Sequence, residues 1–319
     1  MTTSQSTRVE LPELALDDWE QTKATLHLWA QIVGKVRLAS TAPRNHWWHV
    51  TLYVDVRGLT TRPMRSPAGV TFQVDFDFVD HRLVVRTDRG EASSFALEDG
   101  LSVAGFDERL HSMLSSVGVD VEIRERPFGV PTTTPFPVDA QHATYDPIAV
   151  ERFWRVLSWT ECVFDEFASW FCGKQSPVQL FWHSFDLALT RFGGKLAPPQ
   201  PEADAVTREA YSHELISFGF WVGDERMREP TYYAYSAPEP AGLRQQPLPD
   251  EARWLELNGG ALAVLPYQAV MHAPDPRRAL LTFVQSFYEA GATLAQWDRS
   301  QLESSWCPSP SELRELLAR

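Results

Sequence analysis

Two carboxylates carry the chemistry to be expected of this chain. Asp186 lies in the stretch 171–194, FCGKQSPVQLFWHSFDLALTRFGG, and Glu214 lies in YSHEL. Along the first stretch a two-residue period puts Ser184, Asp186 and Thr190 on one side of a strand that opens at Trp182. An acid taken out of water needs a cation, a metal or a shifted pKa to stay there. Three outcomes are open. The acids could be paired with Arg191, Lys174 or another cation as a structural feature. They could work as a general acid and base, one protonated because like charges repel. With His213 they could hold a divalent metal, the one cofactor these residue types suggest. Lys174, Arg191, Ser184, Thr190 and Trp182 are the candidate ligand contacts around them.

The case for these positions comes from an internal comparison. Gly34-Lys35 matches Gly173-Lys174, Trp48-His49 matches Trp182-His183, Arg57 matches Arg191, and Phe76-x-Phe78 matches Phe218-x-Phe220. In that register Ser184 replaces Val50, Asp186 replaces Leu52, Thr190 replaces Val56 and Glu214 replaces Phe72. A slip of one residue would turn the acids outward. Other histidines are weaker candidates. His46 and His49 are three apart, which on a strand puts them on opposite faces. His27, in the apolar LHLW, reads as a hydrogen-bonded core residue. Lys35 and Lys174 could bind anions beside their glycines or cap helix carbonyls; neither lies in a phosphate loop.

The elements that must position these residues follow from periodicity. Helical spacing predicts a helix over 16–38, interrupted or ended at Gly34-Lys35, with Asp17 as a cap. Strands are expected over 47–56, 70–78, 80–87 and 94–97, a helix over 103–117 and a closing strand over 119–123. A helix opened by Asp146-Pro147 runs to about 171. Strands near 211–222 and 231–236, a hairpin around Gly259-Gly260 and a helix over 275–297 complete the second half. The organisation expected is a loose arm 1–15, a first αβ repeat 16–126, a proline-rich linker 127–144, a second repeat 145–298 carrying the site, and a tail 299–319 with a short helix after Pro310. The fold class is α+β: two pseudo-repeated αβββα halves, with mainly antiparallel sheets, packed into one body.

Composition narrows the function classes. The 319 residues carry a net charge of −13, which disfavours nucleic acid and anionic membrane as partners. No apolar run is long enough to span a bilayer. Three cysteines without CxxC spacing argue against a disulfide framework, and a cytoplasmic setting is the default. Twelve tryptophans supply a bulky core or an aromatic-lined pocket.

The stretches TLHLWAQIVGKVRLA, NHWW, FDFVDHRL, HATYDP, GKQSPVQLFWHSFDLALTRFGG, YSHE and YYAYSAPEPAG together resemble a bacterial family known as a domain of unknown function, DUF5996. The resemblance spans most of the chain and implies no activity, cofactor or catalytic residue. The leading expectation is a small-molecule enzyme using inward carboxylates, with or without a metal. The alternatives are a non-catalytic module that binds a small ligand in an aromatic pocket, and a structural or interaction protein.

Overall fold

The computed structural model describes residues 10–257 and 260–304. In chain order the elements are α1 (Glu20–Ser40), β1 (Tyr53–Asp55), β2 (Gly58–Thr60), β3 (Met64–Arg65), β4 (Thr71–Asp77), β5 (Arg82–Thr87), β6 (Ala92–Ala96) and α2 (Val103–Ser116). The second half has α3 (Pro147–Ser169), β7 (Gln179–Phe181), β8 (Asp186–Leu196), α4 (Ala205–Ala210), β9 (His213–Trp221), β10 (Thr231–Ala237), β11 (Arg253–Leu257), β12 (Gly260–Pro266), α5 (Tyr267–His272), α6 (Pro276–Leu294) and α7 (Arg299–Leu302). The class is α+β, with two antiparallel six-stranded sheets. The first runs β1-β2-β4-β5-β6, with β3 also on β4; the second runs β11-β12-β10-β9-β8-β7. They meet where Leu52 and Leu180 exchange backbone hydrogen bonds of 2.9 and 2.8 Å.

Helix α1 ties the halves together. Trp29 stacks on Phe106 of α2, at 5.0 Å between ring centroids, while Trp19 just before α1 meets Phe153 of α3 at 5.2 Å. Phe106 in turn stacks on Phe76 of the first sheet. The second sheet turns one face to α3 and α6: Phe218 meets Phe167 and Phe287 edge-on, and Thr160 bonds the Tyr232 hydroxyl at 3.2 Å. The helix start expected at Asp146-Pro147 holds: Asp146 accepts from the Ile148 N–H, and Asp275 likewise accepts from that of Arg278, each satisfying an otherwise unpaired helix donor. Asp17, expected to cap α1, does not: Trp19 holds the N-cap position without a side-chain bond, and Asp17 pairs with Arg228.

Several expectations change. Gly34-Lys35 sits inside α1 and does not end it; Gly34 is there for packing, because the Trp182 indole occupies the space of its missing side chain. Strand 47–56 shrinks to β1. Left-handed backbone at His46 (φ 55°) and Trp47 (φ 60°) breaks it early, and Val56, expected inward, is 86% exposed. The segment 119–123 forms no strand. The arm is docked from Leu11 onward: Leu11 and Leu14 are buried, and Tyr267 donates to the Pro12 carbonyl. The linker is packed too, with Phe136 and Asp139 buried. The β11–β12 hairpin is present, with its turn at 258–259 outside the described residues, as are residues 1–9 and the helix expected after Pro310.

The register that equated the halves does not follow strand order. Trp48 precedes β1, whereas Trp182 lies between β7 and β8. Leu52 bridges to Leu180, six residues before Asp186. The Gly-Lys pairs also differ in place, one inside a helix and one in the loop after α3.

A hydroxyl-floored aromatic groove as candidate functional site

The second sheet has one face on the helices and the other on a groove of about 1170 Å³. Strand alternation sorts the residues. On β8, Leu187, Leu189 and Arg191 turn to the helices, while Asp186, Ala188, Thr190 and Phe192 turn to the groove. Cross-strand pairing aligns Asp186 with Trp221, Ala188 with Gly219 and Tyr233, and Thr190 with Ser217 and Tyr235. Small residues in the middle row leave room for rings. The Tyr233 ring lies over Gly219, where an added Cβ would be 2.3 Å from its Cζ.

The opposite walls are held by specific contacts. His27 of α1 bonds the Trp182 carbonyl at 2.9 Å, and the Gln31 amide both donates to and accepts from the Phe128 backbone at 2.8 Å. These fix the turn 182–185 and the 122–133 segment along one side. At the other end, α4 docks on the His46–Trp47 turn. Trp47 Nε1 donates to the Val206 carbonyl at 3.0 Å, the His46 N–H to Glu209 at 3.1 Å, and His46 Nδ1 to the Ala210 carbonyl at 3.1 Å. His46 Nε2 is therefore free to accept from Lys174 Nζ, at 2.6 Å. Burial, then the Lys174 charge, pulls the His46 pKa down, consistent with a neutral ring in that role.

The floor is rich in hydroxyls. Asp186 is 8% exposed. Ser184 Oγ donates to its Oδ1 and Tyr233 Oη to its Oδ2. Thr190 and Ser217 bond each other at 3.0 Å, and Tyr211 and Tyr235 at 3.1 Å. Burial, then the neighbouring Asp186, pushes the Tyr233 hydroxyl well above its usual range. Among the described residues no Lys, Arg or His nitrogen forms a salt bridge with Asp186. A carboxylate offers about four lone-pair sites, of which two are used. Rings of Trp48, Trp182, Trp221, Phe181 and Phe192 line the space above it.

The expected site residues divide. Asp186, Ser184, Thr190 and Trp182 line the groove together. Glu214 does not join them. It alternates with Leu215 on the helix-facing side of β9, and lies seven residues from Trp221, the cross-strand partner of Asp186. At a strand rise of about 3.3 Å per residue that is roughly 23 Å. One Glu214 carboxylate oxygen is buried without a partner among the described residues. Arg191 also faces away. It is 1% exposed, donates to the Phe167 carbonyl and stacks 3.5 Å from the Phe167 ring centroid. Lys174 reaches His46 rather than either acid, and His213 stands edge-on to His46 at 5.3 Å. Asp186, Glu214 and His213 thus form no ligand set. No group of three or more His, Cys, Asp or Glu side chains among the described residues is arranged for a metal.

Sequence reasoning missed Tyr233, Tyr235, Ser217, Tyr211 and Trp221, and set His46 aside as a strand residue. The alternation in YYAYS carried the signal for the first two: Tyr233 and Tyr235 share a face, whereas Tyr232 faces the helices. Tyr211, at the end of α4, and His46, on a left-handed turn, had no periodic signal.

Among the described residues no helix is long and apolar enough to cross a membrane. No curated protein and no solved structure matches the chain. The model of a family of unknown function, DUF5996, matches residues 11–304, nearly the whole chain, and the protein belongs to that family.

Proposed function

We propose that the protein binds a small organic cation in the groove, with an ammonium against Asp186 and a flat apolar body among Trp48, Trp182, Trp221 and Phe192. The observation that carries this reading is the state of Asp186: nearly buried, bonded by two neutral hydroxyls, and without a salt-bridged cation among the described residues, the neighbouring His183 being held toward its neutral form by burial. A desolvated carboxylate gains most from an incoming positive charge. Aromatic faces add attraction for the same charge. Aromatic walls with a few convergent polar groups are the usual makeup of a small-molecule site. The arrangement supports binding better than two-carboxylate acid/base chemistry, because Glu214 lies on the other face of the sheet. Among the described residues Cys162 and Cys172 are exposed and form no disulfide, which supports a reducing, cytoplasmic setting in this reading.

The test is a thermal-shift comparison of aromatic amines with their neutral alcohol counterparts, for instance tryptamine beside tryptophol. The reading expects the amine to raise the melting temperature more than the alcohol at equal concentration. Equal shifts, or a larger shift from the alcohol, would contradict it.

A further inference from the structure

Lys35, like Asp186, is a nearly buried charged side chain of the groove with no salt bridge among the described residues. It projects from α1, is 7% exposed and lines the cavity. Its Nζ stands 5.7 Å from the Trp182 ring centroid and 5.9 Å from that of Phe136. Among the described residues it makes no hydrogen bond and no salt bridge. Burial, and then the charge of Arg124, makes a charged ammonium unfavourable there. Arg124 and Arg126 line the same rim, as does one acid, Glu122. In a chain of net charge −13 with four lysines, a lysine 7% exposed in a groove that Arg124 and Arg126 also line is not average surface. Trp182 connects the two ends: its ring faces Lys35 Nζ, and its turn carries Ser184 and leads into Asp186.

We propose that Lys35, with Arg124 and Arg126 at the rim, forms an oxyanion subsite of the groove, for a carboxylate or a phosphate. The proposal deepens the reading of Asp186 as a cation site and rests on it for the rest of the ligand. Together they describe a dipolar molecule, with an ammonium at Asp186, an aromatic or apolar body, and an oxyanion at Lys35. An ion pair completed by ligand relieves the cost of leaving an ammonium desolvated. Three donors on Lys and the flat guanidinium forks of Arg suit either oxyanion.

The four lysines make the site directly readable. Acetylation rates of Lys23, Lys35, Lys174 and Lys195 in the full chain are followed by mass spectrometry, without and with inorganic phosphate or acetate as probe. Occupancy protects by the factor one plus ligand over Kd, so at twice Kd Lys35 is expected to slow about threefold while exposed Lys195 does not change. Phosphate protecting more than acetate assigns a phosphate group, and the reverse assigns a carboxylate. Equal rates at Lys35 with and without either anion would overturn the subsite. So would equal slowing at all four lysines, which reports ionic strength only. As a second readout, Lys35→Met should lose the thermal stabilisation that the probe gives wild type, and Lys35→Arg should keep it; stabilisation retained in Lys35→Met would also overturn the subsite. The amine response at Asp186 is measured in parallel, so failure of the anion site and failure of the cation site appear separately.

Discussion

The indole of Trp182 lies against the bare backbone of Gly34: a β-carbon at residue 34 would stand 2.2 Å from Trp182 Cδ1 and 2.3 Å from Cγ. Alanine favours a helix over glycine by about 1 kcal/mol. Here that gain meets a ring that must swing away, and with it the turn that carries Ser184 and Asp186. Overpacking of this kind costs about 1–3 kcal/mol. Gly34→Ala is therefore expected to lower stability in urea unfolding and to weaken amine binding, and Gly34→Val to do both more strongly. A Gly34→Ala protein as stable as wild type would show that the indole has room to move.

Arg191 and Asp186 share β8 but serve opposite faces, so their variants should separate. Arg191 packs its guanidinium between Phe167 and Tyr288, 3.5 and 4.5 Å from their ring centroids. Arg191→Ala is expected to cost about 3–5 kcal/mol, the range of a large core side chain cut to alanine. Amine affinity, measured well below the melting temperature, should stay unchanged. Loss of binding by an Arg191→Ala protein that remains folded would move Arg191 into the site.

His27 sets a pH dependence. It is buried against the Trp182 carbonyl, and burial pushes its pKa down to about 3. In the unfolded chain it titrates near 6.5. The folded state therefore binds fewer protons through this interval. The stability is full above about pH 6.5 and is lost as pH falls toward 3. Between pH 6.5 and 5 the loss from this residue alone is about 2 kcal/mol. His27→Gln can keep a donor to the carbonyl and does not titrate. Urea midpoints at pH 7 and pH 5 should fall further for wild type than for the variant, and parallel shifts would contradict the assignment.

Much of the fold was legible because its elements carry clean periods. β4, β5, β9, β10, α2, α3 and α6 lie within a few residues of where alternation or helical spacing puts them. Asp186 and Thr190 shared the expected face for the same reason; the strand expected to open at Trp182 opens only at Asp186, and Ser184 reaches the groove from the turn 182–185. What failed depended on contacts between distant segments. Gly34 read as a helix end because its packing partner is 148 residues away. Strand 47–56 read as regular because nothing in NHWWH announces left-handed backbone at His46 and Trp47. Glu214 was assigned by a register between halves that strand order does not follow, and the parity of β9 turns it to the helices. The wall residues of the groove come from α1, α4 and two loops, a convergence that no local pattern encodes.

The central claim is that Asp186 is the cation-binding group of the groove, and calorimetric titration of tryptamine and tryptophol into wild type and Asp186→Asn tests it most directly. Asparagine keeps the shape but removes the charge: its Oδ1 can accept from one of the two hydroxyls, and its Nδ2 donates to the other. The account predicts that wild type prefers the amine, and that Asp186→Asn loses about tenfold or more of that preference, on the order of 1.4 kcal/mol, with tryptophol affinity little changed. The same preference for the amine in both proteins would contradict it.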